Sequence, residues 1–99
     1  PEARVILDPG VGFGKTLEHN LALLRALPRF VALGFPVLLG ASRKRFIAAI
    51  DPAAKDAGDR LGGSLAVALE GARAGVAAVR VHDVRETRQA LAVQGAVGG

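Results

Sequence analysis

Apolar residues along this chain keep two different rhythms. Val5-Ile6-Leu7 and Val37-Leu38-Leu39 are short unbroken runs, and Val79 and Val81 alternate with Arg80 and His82. Runs and alternations of that length read as strands over 4–8, 36–40 and 77–82. Between them Leu17, Leu21, Leu24 and Leu27 recur at helical spacing, so one apolar stripe lies on a helix that Thr16 caps. Pro28 removes a backbone donor and should kink or restart that helix, which is expected to end near Gly34. A short helical turn is expected over 45–50 and a polar loop over 51–59. The next helix, over 60–74, contains Gly62-Gly63-Ser64 and a run of alanines; such small residues favour helix poorly but let it press close onto a sheet. Gly75 closes it. Asp83 is expected to cap a last helix, with Glu86 three residues on as in a capping box, and residues 94–99 should fray.

Three strand-helix repeats with short connections imply parallel strands joined by right-handed crossovers. An open doubly wound sheet and part of a (β/α)8 barrel both fit. Each strand ends in residues able to do chemistry: Asp8, then Ser42-Arg43-Lys44, then Arg80 with His82. Polar side chains at the carboxyl ends of successive parallel strands are how a barrel builds its site. Around the first of these ends, Gly10, Gly12 and Gly14 permit a close backbone approach.

Composition narrows the classes. The 99 residues make one domain at most, and an apolar fraction of 51%, mostly Ala, Val and Leu, is enough for a core. With four Phe and no Trp or Tyr, the chain is a poor stacking platform for nucleic acid. The net charge of +4 comes from 13 Lys and Arg scattered among nine acids, which favours an anionic small substrate over nucleic acid. No cysteine is present, which excludes disulfides and thiolate metal sites, and no apolar run is long enough for a membrane span. The chain starts at Pro1 without an initiator Met and reads as a piece of something longer, cytoplasmic in location.

Two look-alike motifs fail. A P-loop needs a glycine five residues before the glycine of Gly14-Lys15-Thr16, where Pro9 stands, and a dinucleotide fingerprint needs a third glycine where Lys15 stands. His19 and His82 differ too much in setting to suggest a metal pair, and His19 is expected to lie exposed on its helix.

Asp8-Pro9-Gly10-Val11-Gly12-Phe13-Gly14-Lys15-Thr16, His19-Asn20-Leu21, Gly40-Ala41-Ser42-Arg43-Lys44, Gly63-Ser64-Leu65-Ala66 and Arg80-Val81-His82-Asp83-Val84-Arg85-Glu86-Thr87 resemble, in order, the C-terminal part of the dihydropteroate synthase family. The resemblance covers nearly the whole chain. It implies an α/β fold in which residues 1–99 supply the last three strand-helix units of a (β/α)8 TIM barrel, incomplete without an N-terminal portion. The activity it implies is condensation of 6-hydroxymethyl-7,8-dihydropterin pyrophosphate with p-aminobenzoate in folate biosynthesis, with Mg²⁺ present and its ligands outside this segment.

Carried over residue by residue, the resemblance makes Asp8, Gly12 and Lys44 pterin-binding. An ionised carboxylate suits the paired N–H donors of a pterin edge, and an ammonium suits its acceptors. Phe13, Ser42 and Lys44 fall at p-aminobenzoate positions; Phe13 also reads as a core residue. Arg80, Val81 and His82 fall on the pyrophosphate-binding strand, Val81 through its backbone, where positive donors meet the charge of a departing pyrophosphate. Arg80 would point inward from a buried strand, which is costly without an anion. Arg45 and Pro28 depart from the family's pattern, away from these positions. The partners implied are the two small molecules and a further copy of the chain, with neither nucleic acid nor membrane. A pterin-binding methyltransferase-type barrel, which has no pyrophosphate to hold, and a non-catalytic self-assembling barrel fragment are the alternatives.

Overall fold

The computed structural model describes residues 16–41 and 43–98. The expected first strand, over 4–8, lies outside them, as do Asp8, Gly12, Phe13 and Ser42. The elements run α1 (Leu17–Arg25), α2 (Leu27–Ala32), β1 (Leu38–Gly40), α3 (Phe46–Ile50), a 3-10 turn (Ala57–Arg60), α4 (Leu61–Ala74), β2 (Ala78–Arg80) and α5 (Val84–Gly98). Thr16 caps α1, its side chain accepting from the His19 N–H, and His19 is exposed. The break expected at Pro28 falls at Ala26, after which the proline occupies the first turn of α2, where its missing donor would have no helical partner anyway. Gly34 and Gly75 both sit at φ +92° and end their helices in the left-handed turn that glycine takes without strain.

β1 and β2 pair in parallel, Leu38 beside Ala78, Leu39 beside Val79 and Gly40 beside Arg80. Both are shorter than the runs that announce them. The register sorts side chains into two sets. Leu39 and Val79, with Val37 and Ala41, turn toward the helices; Leu38, Gly40, Ala78 and Arg80 turn the other way.

The core sits under the first set. Leu27, Val37, Leu39, Ala41, Phe46, Ile47, Ala54, Val67 and Ala68 are buried together. Small residues bring α4 onto them, as expected. A methyl group on Gly71 would stand 2.6 Å from Leu39 Cδ2, and one on Gly63 the same 2.6 Å from Ile47 Cγ2. Side chains at those positions would force the helix away from β1 and α3. The face bearing Arg80 is uncovered, so Arg80 is exposed instead of pointing into a buried interior; it turns toward the inner side of the sheet, but nothing among the described residues roofs it.

Asp83 stands immediately before α5, the position expected of its cap, and its backbone carbonyl receives the Thr87 N–H at 3.0 Å and the Thr87 hydroxyl at 2.7 Å. Both of its carboxylate oxygens accept from Arg43, at 3.2 Å from Nε and 2.9 Å from Nη2. One expectation at this end of the chain is corrected. The stretch expected to fray is helical through Gly98, and Gln94 ties it to α4 through a 3.0 Å bond to the Leu69 carbonyl.

Candidate functional site

The uncovered face ends in a cavity. Gly40, Lys44, Arg80, Val81 and His82 line about 330 Å³ at the carboxyl ends of both strands. Gly40 explains why two cations share it. Beside Arg80 in the register, the strand carries no side chain, and a methyl group there would stand 3.5 Å from Lys44 Nζ and 3.6 Å from Arg80 Nη2. Two positive heads thus meet over one bare point of backbone. His82 joins them because it lies two residues beyond Arg80, on the same side of the chain.

The loop that delivers Lys44 is tied down from three directions. Arg43 adopts φ +52°, the one non-glycine residue at positive φ among the described residues, a conformation that costs energy unless its surroundings fix it. Its N–H donates to Ser64 Oγ at 2.6 Å, and Arg60 Nη1 donates to its carbonyl at 3.3 Å. Its guanidinium forms the ion pair with Asp83, joining the end of β1 to the start of α5. That hydrogen-bonded pairing holds the Asp83 carboxyl below the ordinary aspartate value; partial burial opposes the shift, and the charges of Arg43 and His82 assist it. The same bonds raise Arg43 above the usual guanidinium range.

Arg60 escaped the reading of the sequence. It is 9% exposed, and besides the Arg43 carbonyl it donates to Ala54 O at 2.9 Å and to Lys55 O. A guanidinium keeps its charge and offers five donors in a fixed fork, so one side chain can gather several loop carbonyls. Nothing in the sequence marks those acceptors, since every residue carries a carbonyl.

A larger cleft, of about 380 Å³, opens between α1, α3 and α4. Its floor is apolar and its charged residues are Asp51, Asp59 and Glu70, which would repel an anion. The described residues include no group of three or more His, Asp or Glu close enough to hold a metal ion. No helix among them is long and apolar enough to cross a membrane. Of the residues singled out in the sequence, the cavity brings together Lys44, Arg80, Val81 and His82; Asp8, Gly12, Phe13 and Ser42 lie outside the described residues.

Parallel strands covered by helices on one side, with cations gathered at their carboxyl ends, define an α/β protein whose strand ends present positive charge. Comparison with known proteins makes this particular. Residues 1–82 match the model of the pterin binding enzyme family, and the chain belongs to that family. It is 50% identical over 98 residues to the dihydropteroate synthase of Neisseria meningitidis serogroup B, covering 96% of this chain and 34% of that protein. It superposes with a TM-score of 0.89 and 55% identity on crystal structures of dihydropteroate synthase from Thermus thermophilus, solved in complex with 6HMPPP and with 4-aminobenzoate, covering 96% of this chain and 38% of theirs. The chain thus spans about a third of the length of the curated relative.

Proposed function

We propose that the chain is the C-terminal region of a dihydropteroate synthase, the last three strand-helix units of a (β/α)8 barrel. The completed enzyme joins p-aminobenzoate to the pyrophosphate ester of 6-hydroxymethyl-7,8-dihydropterin. In that reaction the amine nitrogen forms a bond to the pterin methylene carbon, the carbon–oxygen bond to pyrophosphate breaks, and the nitrogen gives up a proton. Negative charge grows on the leaving oxygen. Arg80 and His82 receive it, Val81 supplies backbone between them, and Lys44 reaches from there to the pterin ring, whose paired donors Asp8 accepts. Gly12 lies along the pterin, while Phe13 and Ser42 meet the ring and carboxylate of p-aminobenzoate. The observation that carries this reading is the convergence of Lys44 and Arg80 over Gly40, which presents two cations to one anion. Mg²⁺, held by groups outside this segment, would screen the pyrophosphate charge; homo-oligomerisation and a cytoplasmic location belong to the same proposal. The fragment by itself would be inactive.

The test uses a full-length dihydropteroate synthase carrying these residues. Arg80→Ala should weaken the pyrophosphate ester about tenfold to a hundredfold, as loss of charged hydrogen bonds does, and leave affinity for the bare pterin alcohol nearly intact. Lys44→Ala should weaken both. If Arg80→Ala loses alcohol and ester equally at an unchanged melting temperature, the pyrophosphate assignment is wrong and the methyltransferase-type reading gains.

A further inference from the structure

The cavity depends on Lys44, and the direction in which Lys44 leaves the loop depends on the backbone that delivers it. The residue before it supplies the direction. Arg43 is held at φ +52°, and the rotation of its backbone decides where the next side chain leaves the loop. A non-glycine residue in that region relaxes unless its N–H and carbonyl are fixed. Here both are fixed by one turn of one helix start. Ser64 Oγ accepts the Arg43 N–H at 2.6 Å, and the Arg60 guanidinium donates to the Arg43 carbonyl at 3.3 Å.

Those two residues are themselves joined. The Ser64 hydroxyl donates to the Arg60 carbonyl at 2.8 Å, so its proton is committed and its lone pair faces the Arg43 N–H. Arg60 is pinned from the other side by the carbonyls of Ala54 and Lys55. Ser64 is 4% exposed and Arg60 9%, so water competes weakly for either bond. Neither side chain lines the cavity.

We infer that Ser64 and Arg60 are positioning residues for the site: they clamp the left-handed backbone of Arg43 and thereby hold Lys44 at its working orientation. The inference rests on the proposed role of Lys44 in binding the pterin. A clamp of this kind acts through preorganisation, because a lysine free to sample other directions must be ordered again each time ligand binds. Its loss should therefore appear in ligand affinity through Lys44 and nowhere else in the cavity.

The experiment is a pair of double-mutant cycles in a full-length dihydropteroate synthase carrying these residues, read by calorimetric affinity for 6-hydroxymethyl-7,8-dihydropterin and for its pyrophosphate ester, beside melting temperatures. Ser64→Ala should weaken both ligands about fivefold to tenfold, the effect of one hydrogen bond acting through one contact. In the Lys44→Ala background, Ser64→Ala should change neither affinity; in the Arg80→Ala background it should keep its full effect. If Ser64→Ala fails to fold, Ser64→Cys, of similar volume but weaker hydrogen bonding, takes its place in the cycles. An effect of Ser64→Ala that persists in full without Lys44 would overturn the inference, as would unchanged affinity in the single variant. If Lys44→Ala itself leaves both affinities unchanged, the site reading falls first, and the two failures are told apart by that single variant.

Discussion

Replacing Gly71 by alanine isolates the close contact that seats α4 on the sheet. Its new methyl would stand 2.6 Å from Leu39 Cδ2 and 3.2 Å from Val76 Cγ2. Leu39 is fully buried and has no open side toward which to swing. Overpacking of that kind costs about 1–3 kcal/mol. The same substitution gains up to ~1 kcal/mol, because alanine favours helix over glycine, so the net loss alone would blur the contact. Gly95 in α5 provides the reference, since a methyl there would have no neighbour within 4 Å. Gly95→Ala should leave stability unchanged or raise it by about 0.5–1 kcal/mol. With propensity common to both, Gly71→Ala should be the less stable of the two by about 1–3 kcal/mol, or roughly 2–12 °C in melting temperature for a barrel-sized protein. Differential scanning calorimetry of the two variants in the full-length enzyme measures the gap. Equal melting temperatures, or a more stable Gly71→Ala, would mean that α4 does not rest on β1 as described.

Two further outcomes follow from the site. Asp8→Asn turns one acceptor into a donor facing the pterin's N–H groups, and the loss of charged hydrogen bonds should weaken pterin binding by about tens to hundreds of fold; calorimetric affinity within threefold of the parent would remove Asp8 from the site. Asp83 is held below the ordinary aspartate value by Arg43, so whatever stability the ion pair adds is complete above that value and fades as acid protonates the folded carboxyl. The melting-temperature difference between the parent and Asp83→Asn should therefore be constant near neutral pH and shrink toward about pH 3, whereas a difference that widens with acid would contradict the pairing.

What could be read from the sequence was what repeats or what glycine and proline dictate. Alternation at 79–82 separated Arg80 and His82 from Val79 and Val81, and the strand confirms that division by exposing Arg80 while half-burying its neighbours. The small residues of α4 foretold its approach to β1. The errors came from judging local signals without distant ones. Asp83 stands before α5 as its spacing to Glu86 suggests, but the guanidinium 40 residues earlier that pairs with its carboxylate has no local signal. Residues 94–99 read as a fraying end, yet Gln94 anchors that helix to a carbonyl 25 residues away. Arg60 reads in the sequence only as the first residue of a helix, because its acceptors are main-chain oxygens, which leave no trace in a string of side chains.

The register of β1 and β2 has a practical use for protein engineering. Odd positions 37, 39, 41 and 79 are committed to the helices, even positions 40, 80 and 82 border the cavity, and Val81 touches both. A mutational library confined to the even set would vary ligand preference on a nearly constant scaffold, and one confined to the odd set would vary thermal tolerance at nearly constant chemistry. Two neighbouring residues on one strand thus answer to separate selections, and the lining of the cavity can be varied without first restabilising the scaffold.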